Sequence, residues 1–183
     1  MIFSNIASLS KTKGIDLYIQ AIEHLDNKNI RFDIVGQASK VEESFETSIK
    51  QYVMKKRLNN IKFQGFISNI KIYLDQIDVV VLTSIVPDSL PTVLLEGLAK
   101  GKVLIASDVG GVREIVDDSC GNIIIPPNDV KALAEAFKTV LTYDEQKLEE
   151  IRIKNIEKAK EKFTIEKQVE MMTYIYLEMM RIK

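Results

Sequence analysis

Short apolar runs alternate with longer amphipathic stretches along the whole of this 183-residue chain. Six of the runs are rich in Val, Ile and Phe, a composition typical of strands that are buried on both faces of a parallel sheet. They cover residues 2–7, 31–36, 61–66, 79–82, 103–106 and 122–125. The pattern therefore predicts about six strands, each separated from the next by helical sequence.

The stretches between and after these strands repeat their apolar residues at helical spacing. We expect helices at residues 16–25, 41–58, 69–76, 90–100 and 112–116, then from a cap at Asn128 or Asp129 to residue 141, and finally at 144–162 and 165–180. Within residues 41–58 the positions that should face inward are Phe45, Ile49, Val53 and Met54.

Strands that alternate with helices predict an α/β fold, here a Rossmann-like, doubly wound parallel sheet with flanking helices. With 46% hydrophobic residues the chain can bury one good core, so we expect a single domain over residues 1–183. The sheet and its flanking helices would occupy about residues 1–142, and the terminal helices residues 143–183.

The last predicted helix has a wide apolar face. It is formed by Ile165, Val169, Met172, Tyr176 and Met179, with Met171 and Ile175 adjoining. A face of this width exceeds what one domain surface usually covers. The plain alternative is that the helix folds onto its own domain.

Composition and charge argue against several classes of protein. The chain has 25 Lys and Arg against 26 Asp and Glu, and it lacks the stripe of positive charge that binds nucleic acid. Its one cysteine, Cys120, cannot form an internal disulfide, and no apolar run is long enough for a membrane span or a signal peptide. We therefore expect a cytoplasmic protein in which Cys120 is structural and the sole histidine, His24, lies at the surface.

Residues 84–101 join two predicted strands and contain the signals of a loop followed by a helix. Ser89 is a candidate N-cap, Pro91 falls near the first helical turn, and Gly101 suits the position after the helix end. The first turn of such a helix presents unpaired N–H groups and the positive end of the helix dipole at the carboxyl edge of the sheet. The stretch therefore predicts an anion site that fits a phosphate.

Two acidic residues flank this predicted anion site. Glu96 shares a helix face with Thr92, and helical side chains lean toward the N-terminus, so its carboxylate should point to the same volume as Asp88. Carboxylates are poor partners for phosphate but strong acceptors for hydroxyl groups. The pattern therefore indicates a site for a nucleotide-sugar.

The same residues resemble a known family. Asp88-x7-Glu96, followed by Ala99-x-Gly101 and by Gly110-Gly111-Val112-Arg113-Glu114-Ile115-Val116, is similar to the donor-binding half of the retaining family 4 glycosyltransferases of the GT-B fold. The family has Glu where this chain has Asp88, which is one methylene shorter. The resemblance implies a C-terminal half of a GT-B fold whose N-terminal acceptor domain is absent from this chain. In that fold the terminal helices pack across onto the acceptor domain.

The resemblance also implies roles for individual residues. Lys13-Gly14 matches the end of the family's Gly-Arg-Leu-x3-Lys-Gly segment, whose Arg and Lys clamp the donor diphosphate, but Ser8 stands at the position of the arginine. Lys11 is a nearby candidate to compensate. The implied catalytic residues are Asp88 for the sugar hydroxyls, Glu96 for the ribose hydroxyls and Lys13 for the diphosphate. The implied donor-binding residues are Lys13, Phe66, Ile67, Asp88, Ser89, Leu90, Pro91, Thr92 and Glu96.

Phe66 and Ile67 follow the third predicted strand, where the family contacts the nucleotide base; a place in the core is the alternative for Phe66. The implied activity is transfer of a hexose-type sugar from an NDP-sugar, with UDP favoured, to a saccharide or lipid-linked acceptor in polysaccharide or glycoconjugate biosynthesis. It implies no cofactor and no metal, and peripheral association of the full enzyme with the inner membrane surface. The chain alone should be inactive.

Three other functions are alternatives to this hypothesis. A non-catalytic nucleotide-sugar-binding or assembly module is favoured by the missing arginine and by the apolar last helix. A nucleotide-sugar 2-epimerase needs acid and base groups from both halves of the fold, and His24 is the only histidine here. An NAD enzyme is disfavoured because the first strand-to-helix turn lacks Gly-x-Gly-x-x-Gly.

Overall fold

A computed structural model describes residues 1–25 and 30–181. The fold is a six-stranded, all-parallel sheet with helices on both faces, which confirms the predicted α/β class. The strands are β1 (Ile2–Ile6), β2 (Arg31–Val35), β3 (Ile61–Gly65), β4 (Val79–Leu82), β5 (Val103–Ser107) and β6 (Ile123–Ile125). The helices are α1 (Ile15–Glu23), α2 (Glu43–Lys56), α3 (Ile70–Asp75), α4 (Thr92–Ala99), α5 (Val112–Ile115), α6 (Val130–Leu141), α7 (Glu145–Lys162) and α8 (Ile165–Arg181).

The strand order is β3-β2-β1-β4-β5-β6. The second and third strands therefore lie on one side of β1, and the last three strands lie on its other side. In register, Phe3 of β1 pairs with Phe32 of β2 on one side and with Val79 of β4 on the other. A parallel sheet requires a crossover helix after each strand, which explains why the hydrophobic pattern changes its period between strands.

The sheet separates two apolar cores, and successive residues of a strand enter opposite ones. In β4, Val79 and Val81 face a core with α1, α2 and α6, whereas Val80 and Leu82 face a core with α3, α4 and α5. This double burial accounts for strands that are apolar at every position rather than at alternate ones. The first core also contains the ring cluster of Phe3, Tyr18, Phe32 and Phe137, whose centroids lie 5.2–6.0 Å apart.

A polar network lies inside this apolar frame, at Asp33 in the middle of β2. Asp33 is fully buried and accepts two hydrogen bonds from the Arg31 guanidinium, each of 2.8 Å. It also accepts from Tyr73 Oη at 2.8 Å and from Gln64 Nε2 at 3.0 Å. Since the Tyr73 proton goes to Asp33, Ser4 Oγ donates to Tyr73 Oη at 2.8 Å. Burial raises the pKa of Tyr73 above its ordinary value, so this phenol remains a donor.

Helix α2 differs from its prediction at both ends. It begins at Glu43, after a short 3-10 turn (Lys40–Glu42), and it ends at Lys56. Ile49 and Val53 are buried as expected, but Met54 is 78% exposed. Met54 follows Val53 by one residue, which rotates it about 100° away from the buried face.

Helix α7 packs through its buried residues Ile151, Asn155 and Ala159. Asn155 Nδ2 donates to the Lys102 carbonyl oxygen at 2.8 Å, and Asn122 Nδ2 donates to Asn155 Oδ1 at 2.8 Å. Cys120 is buried beside this amide pair, with its thiol 3.2 Å from the Asp117 carbonyl oxygen. This position agrees with the structural role expected for Cys120.

Helix α8 leaves its apolar face uncovered. Its large apolar side chains are between 46% and 76% exposed; they are Ile165, Val169, Met171, Met172, Tyr174, Ile175, Tyr176, Leu177, Met179 and Met180. Within the described part of the chain the helix therefore does not fold onto its own domain. Among the same residues, no helix is both long and apolar enough to cross a membrane.

Candidate functional site

The site lies where the strand order reverses. β1 and β4 are neighbours in the sheet, and the loops that follow them lead to helices on opposite faces. A crevice forms outside the carboxyl ends of the strands at such a point, and ligands of doubly wound sheets bind there. The loop after β1 contains Lys13 and the loop after β4 contains Asp88, so the fold brings together two residues that are 75 positions apart.

The Lys13 loop is fixed to the exit of β4. A 3-10 turn (Lys11–Lys13) ends at Gly14, whose φ is 63°. Thr83 Oγ1 donates to the Lys13 carbonyl oxygen at 2.8 Å, and buried Asn5 Nδ2 donates to Thr83 Oγ1 at 2.8 Å. A Cβ atom at Gly14 would overlap the Thr83 carbonyl oxygen, so only glycine permits this approach.

The Asp88 loop is fixed in turn to the loop after β5. The Asp88 carbonyl oxygen accepts a hydrogen bond from Gly111 N–H at 3.0 Å. Gly110 has a φ of 54°, and a Cβ atom there would overlap the Asp88 backbone. The predicted tight turn at Gly110-Gly111 is therefore confirmed, and its function is to hold the loop after β4.

A direct ion pair joins the first two loops. Lys13 Nζ lies 3.1 Å from Asp88 Oδ2, and the two side chains are 27% and 28% exposed. The other oxygen, Asp88 Oδ1, accepts a longer hydrogen bond of 3.3 Å from Leu90 N–H. The arrangement presents a cation, a carboxylate and a backbone donor at the carboxyl edge of the sheet.

Helix α4 begins at Thr92, with Pro91 as its N-cap, and not at Leu90 with Ser89 as the cap. A residue that precedes proline is pushed out of the helical conformation, so the helix cannot include Leu90. Ser89 and Leu90 are exposed, Pro91 is buried and Thr92 is exposed in the first turn. The unpaired donors of this turn start at Thr92, two residues later than predicted.

Glu96 lies one turn into α4 and is partly buried. Burial raises the pKa of its carboxyl above the ordinary value, and the positive charge of Lys71 on α3 opposes the shift. Among the described residues, Glu96 makes no hydrogen bond or ion pair with Lys13 or Asp88. The structure therefore joins Lys13 to Asp88 directly, and Glu96 lies apart from this pair, one turn into α4.

Phe66 and Ile67 lie at the carboxyl end of β3, the edge strand. Phe66 is 69% exposed, so the alternative that placed it in the core is wrong, whereas Ile67 packs partly against the second core. β3 is two strands away from β1, a separation of about 10 Å. These two residues therefore lie at the far end of the carboxyl edge from Asp88.

The position of the family's arginine is occupied by an exposed serine, Ser8. The nearby lysine, Lys11, is exposed as well. Arg113, in the helix after Gly111, is engaged by Asp108 through hydrogen bonds of 2.8 and 2.6 Å. Lys13 is therefore the cation that the structure places against Asp88.

Three residues that shape the site were not predicted from the sequence. Asn5 and Thr83 hold the Lys13 loop, and Lys71 lies close enough to affect the charge of Glu96. Asn5 could have been noticed, since it is a polar residue inside an otherwise apolar strand. Lys71 is exposed on a short helix, and nothing in its local sequence distinguishes it from other surface lysines.

A groove of about 1280 Å³ runs beside the site, between α5, α7 and α8. Leu90 and Leu95 line this groove, as do Met171 and Tyr174 of α8. Within residues 1–25 and 30–181, no cluster of three His, Cys, Asp or Glu side chains could hold a metal ion.

The parallel sheet, its reversal point and the fixed loops that meet there define a doubly wound α/β protein with a crevice at the carboxyl edge of its sheet. Residues 1–174 match the model of the family described as glycosyl transferases group 1, and the chain belongs to that family. Its fold is accordingly one half of the GT-B architecture.

Curated relatives are similar over most of this chain. WcaL of Salmonella typhimurium, which carries the name of a colanic acid biosynthesis glycosyltransferase, is 27% identical over 168 residues, which is 87% of this chain and 40% of WcaL. An α-1,4-N-acetyl-D-galactosaminyltransferase of Campylobacter jejuni that acts on an undecaprenol-linked saccharide is 29% identical over 140 residues, which is 74% of this chain and 37% of that enzyme. The chain thus spans less than half the length of these relatives.

Solved structures share the fold. HepE of Anabaena, in complex with UDP and glucose, has a TM-score of 0.86 and is 25% identical; the match covers 94% of this chain and 47% of HepE. The C-terminal domain of LpcC, a glycosyl transferase group 1 protein of Francisella tularensis, has a TM-score of 0.80 and 23% identity. That match covers 90% of this chain and 86% of the LpcC domain.

Proposed function

We propose that this chain is the nucleotide-sugar-binding, C-terminal half of a retaining family 4 glycosyltransferase. The complete enzyme would transfer a hexose-type sugar to a saccharide or lipid-linked acceptor in polysaccharide or glycoconjugate biosynthesis. The observation that carries the proposal is the Lys13–Asp88 pair at the reversal point of the sheet, with Glu96 one turn into the helix that follows Asp88. This is where a doubly wound sheet binds a nucleotide.

Each site residue has a role that its chemistry suits. Lys13 and the N–H groups at the start of α4 bind the diphosphate, Asp88 accepts hydrogen bonds from sugar hydroxyls, and Glu96 accepts them from the ribose. The exposed ring of Phe66 and the backbone at Ile67 contact the base. When the bond from the sugar to the diphosphate breaks, the electron pair leaves with the diphosphate oxygen. Lys13 and the N–H groups stabilise that charge, without a metal ion.

The relatives support the type of donor and acceptor. HepE binds UDP, which favours UDP as the nucleotide here. The Campylobacter enzyme acts on a lipid-linked saccharide, and WcaL is named for polysaccharide synthesis. A lipid-linked acceptor would place the complete enzyme at the inner membrane surface, facing the cytoplasm.

The uncovered face of α8 supports a half-enzyme. An apolar helix face of this size is costly to leave in water, and in the GT-B fold the terminal helices pack onto the acceptor domain. We therefore expect this chain to bind nucleotide weakly and to transfer no sugar by itself. Detection of transfer by the purified 183-residue protein to any saccharide acceptor would contradict the half-enzyme proposal.

Calorimetric titration of the purified chain with UDP, GDP and ADP tests the donor site. We expect selective binding of UDP that Glu96→Ala weakens by about 1–3 kcal/mol, the usual contribution of a charged hydrogen bond. Glu135→Ala is the control, because Glu135 is an exposed carboxylate on α6, outside the loops that contain Lys13 and Asp88. Equal loss in both variants would contradict the assignment of Glu96 to the ribose. Equal binding of the three nucleotides would contradict the selectivity for UDP.

A non-catalytic binding or assembly module is the second candidate. Two observations favour it: the exposed Ser8 at the position of the family's arginine, and the apolar surface of α8. An arginine makes bidentate contacts to phosphate that a lysine cannot replace. Absence of binding to all three nucleotides at millimolar concentration would favour this candidate over the transferase half.

A further inference from the structure

The carboxylate of Asp88 occupies Lys13, which the proposed function assigns to the diphosphate, and a backbone donor two residues before α4. Its Oδ2 accepts from Lys13 Nζ and its Oδ1 accepts from Leu90 N–H. Both donors lie at the mouth of the crevice, next to the first turn of α4. The side chain thus satisfies them in the manner of a bound anion, and a diphosphate must compete with Asp88 for the same donors.

Both contacts are of a kind that a diphosphate can displace. The ion pair is a single contact of 3.1 Å between side chains that are each more than a quarter exposed, and the bond to Leu90 N–H is 3.3 Å long. A partly exposed pair of this type contributes little free energy. A diphosphate has more negative charge and more acceptor oxygens than one carboxylate, so it is the stronger partner for Lys13.

The backbone on each side of the pair is held independently of the pair. Thr83 Oγ1 fixes the Lys13 carbonyl oxygen, and Gly111 N–H fixes the Asp88 carbonyl oxygen. The pair can therefore open by rotation of side chains, without movement of the loops. Once released, the Asp88 carboxylate remains in the crevice with free acceptor positions.

We propose that Asp88 is a built-in competitor for the diphosphate site, and that the donor's diphosphate releases it to bind the donor's sugar. Recognition of the sugar is then coupled to the diphosphate, because Asp88 offers its full acceptor capacity to hydroxyl groups once Lys13 has changed partner. The inference rests on the proposed function, since it concerns the same donor. The inference adds one step to the proposed function. Before Asp88 binds the sugar, its carboxylate competes with the incoming diphosphate for Lys13.

Titration with inorganic pyrophosphate separates this exchange from nucleotide recognition. The proteins are the unchanged chain, Asp88→Asn, Lys13→Met and the double variant; Asp88→Asn keeps an oxygen for Leu90 N–H. We expect Asp88→Asn to bind pyrophosphate about two- to fivefold more tightly, the range for release of an exposed ion pair. We expect the gain to vanish in the Lys13→Met background, because Lys13 is the group being released.

Three results would overturn the inference. A gain of equal size in both backgrounds would mean that Asp88 only repels anions through space. Weaker binding by Asp88→Asn would mean that Asp88 holds Lys13 in place for the ligand. Failure of all four proteins to bind pyrophosphate would mean that Lys13 serves no anion.

Two further measurements separate this inference from the proposed function. Asp75→Asn breaks the exposed Lys100–Asp75 pair of 2.6 Å on another part of the surface, and it should leave pyrophosphate binding unchanged. UDP binding that weakens in Glu96→Ala would leave the proposed function standing even if the pyrophosphate series failed. With UDP-glucose, the advantage over UDP shown by the unchanged chain should fall in Asp88→Asn, since an amide is a weaker acceptor than a carboxylate.

Discussion

Two pairs of opposite charge show how differently the fold uses the same chemistry. Asp33 is fully buried and receives two bonds from the Arg31 fork, as well as bonds from Tyr73 and Gln64. Asp88 is partly exposed and receives one bond from Lys13 and one long bond from Leu90 N–H. The first carboxylate is satisfied by the protein alone, and the second retains acceptor capacity for a ligand.

Position in the sheet explains the difference. Asp33 lies within β2, where strands and α3 enclose it, and a charge buried there is tolerated only with a full set of donors. Asp88 lies beyond the carboxyl end of β4, where parallel strands open into a crevice. A fully bonded carboxylate such as Asp33 therefore fits a structural role, whereas the incompletely bonded pair at the reversal point fits the binding role that we propose for it.

Removal of Asp33 should have the largest effect on stability. We expect Asp33→Ala to lower the free energy of unfolding by about 3 kcal/mol, at the lower end of the range for broken buried pairs, because Arg31 is 38% exposed. Urea denaturation measures this. Tyr73→Phe should cost less, since it removes one hydroxyl and leaves the ion pair intact. A loss below 1 kcal/mol for Asp33→Ala would remove the distinction between the two pairs.

The next effect concerns the loop that positions Lys13. Gly14→Ala should cost about 2 kcal/mol, because the left-handed conformation is strained and a Cβ atom would overlap the Thr83 carbonyl oxygen. Gly65→Ala is a matched control with a φ of 70° and no atom within 4 Å of the new Cβ, and it should cost about 1 kcal/mol. Denaturation of both variants checks this, and equal costs would show that the approach to Thr83 does not constrain the loop.

Removal of Asp88 should affect stability far less than removal of Asp33. We expect Asp88→Ala to change the free energy of unfolding by less than about 1 kcal/mol, as is usual for partly exposed ion pairs. The same urea experiment applies, with Asp75→Ala as the control for a pair outside the site. A loss as large as that of Asp33→Ala would assign Asp88 a structural role.

The smallest expected effect is a change of the free energy of unfolding with pH, caused by the protonation of Glu96. Burial raises its pKa above the ordinary value of 4.5, so the folded state binds the proton more strongly than the unfolded state does. The resulting stability is complete below about pH 4.5 and is lost as the pH rises through the raised pKa. At pH 7 Glu96→Gln should therefore be slightly more stable than the unchanged chain, by at most about 0.5 kcal/mol.

Denaturation of this pair of proteins at pH 4 and pH 7 tests that sign. At pH 4 the free energy of unfolding of Glu96→Gln should fall relative to that of the unchanged chain. The reason is that the protonated glutamate no longer has the cost of a buried charge. A gain of Glu96→Gln that grows toward low pH would show that Glu96 is stabilised as an anion in the folded state.

The secondary structure that carries the candidate site was largely predictable because its signals are local. A continuous apolar run identifies a strand such as β4, and the spacing from Asp88 to Glu96 spans one loop and one helical turn. These features depend on neighbours in sequence, so six strands, the crossover helices and the turn at Gly110-Gly111 followed from periodicity and backbone chemistry. The predicted start of α4 was two residues too early, because Pro91 disfavours the helical conformation at Leu90.

The partners across the fold were decided by the tertiary structure. Lys13 meets Asp88 only because β1 and β4 are adjacent, and neither sequence segment specifies its neighbour in the sheet. The buried network of Asp33 likewise joins β1, β2, β3 and α3. The amino-acid sequence by itself determined the elements, the class of fold and the candidate acids. Packing decided that Asp33 is buried with a full set of donors and that Asp88 is partly exposed with acceptor capacity left. Burial and hydrogen bonding depend on residues that are distant along the chain.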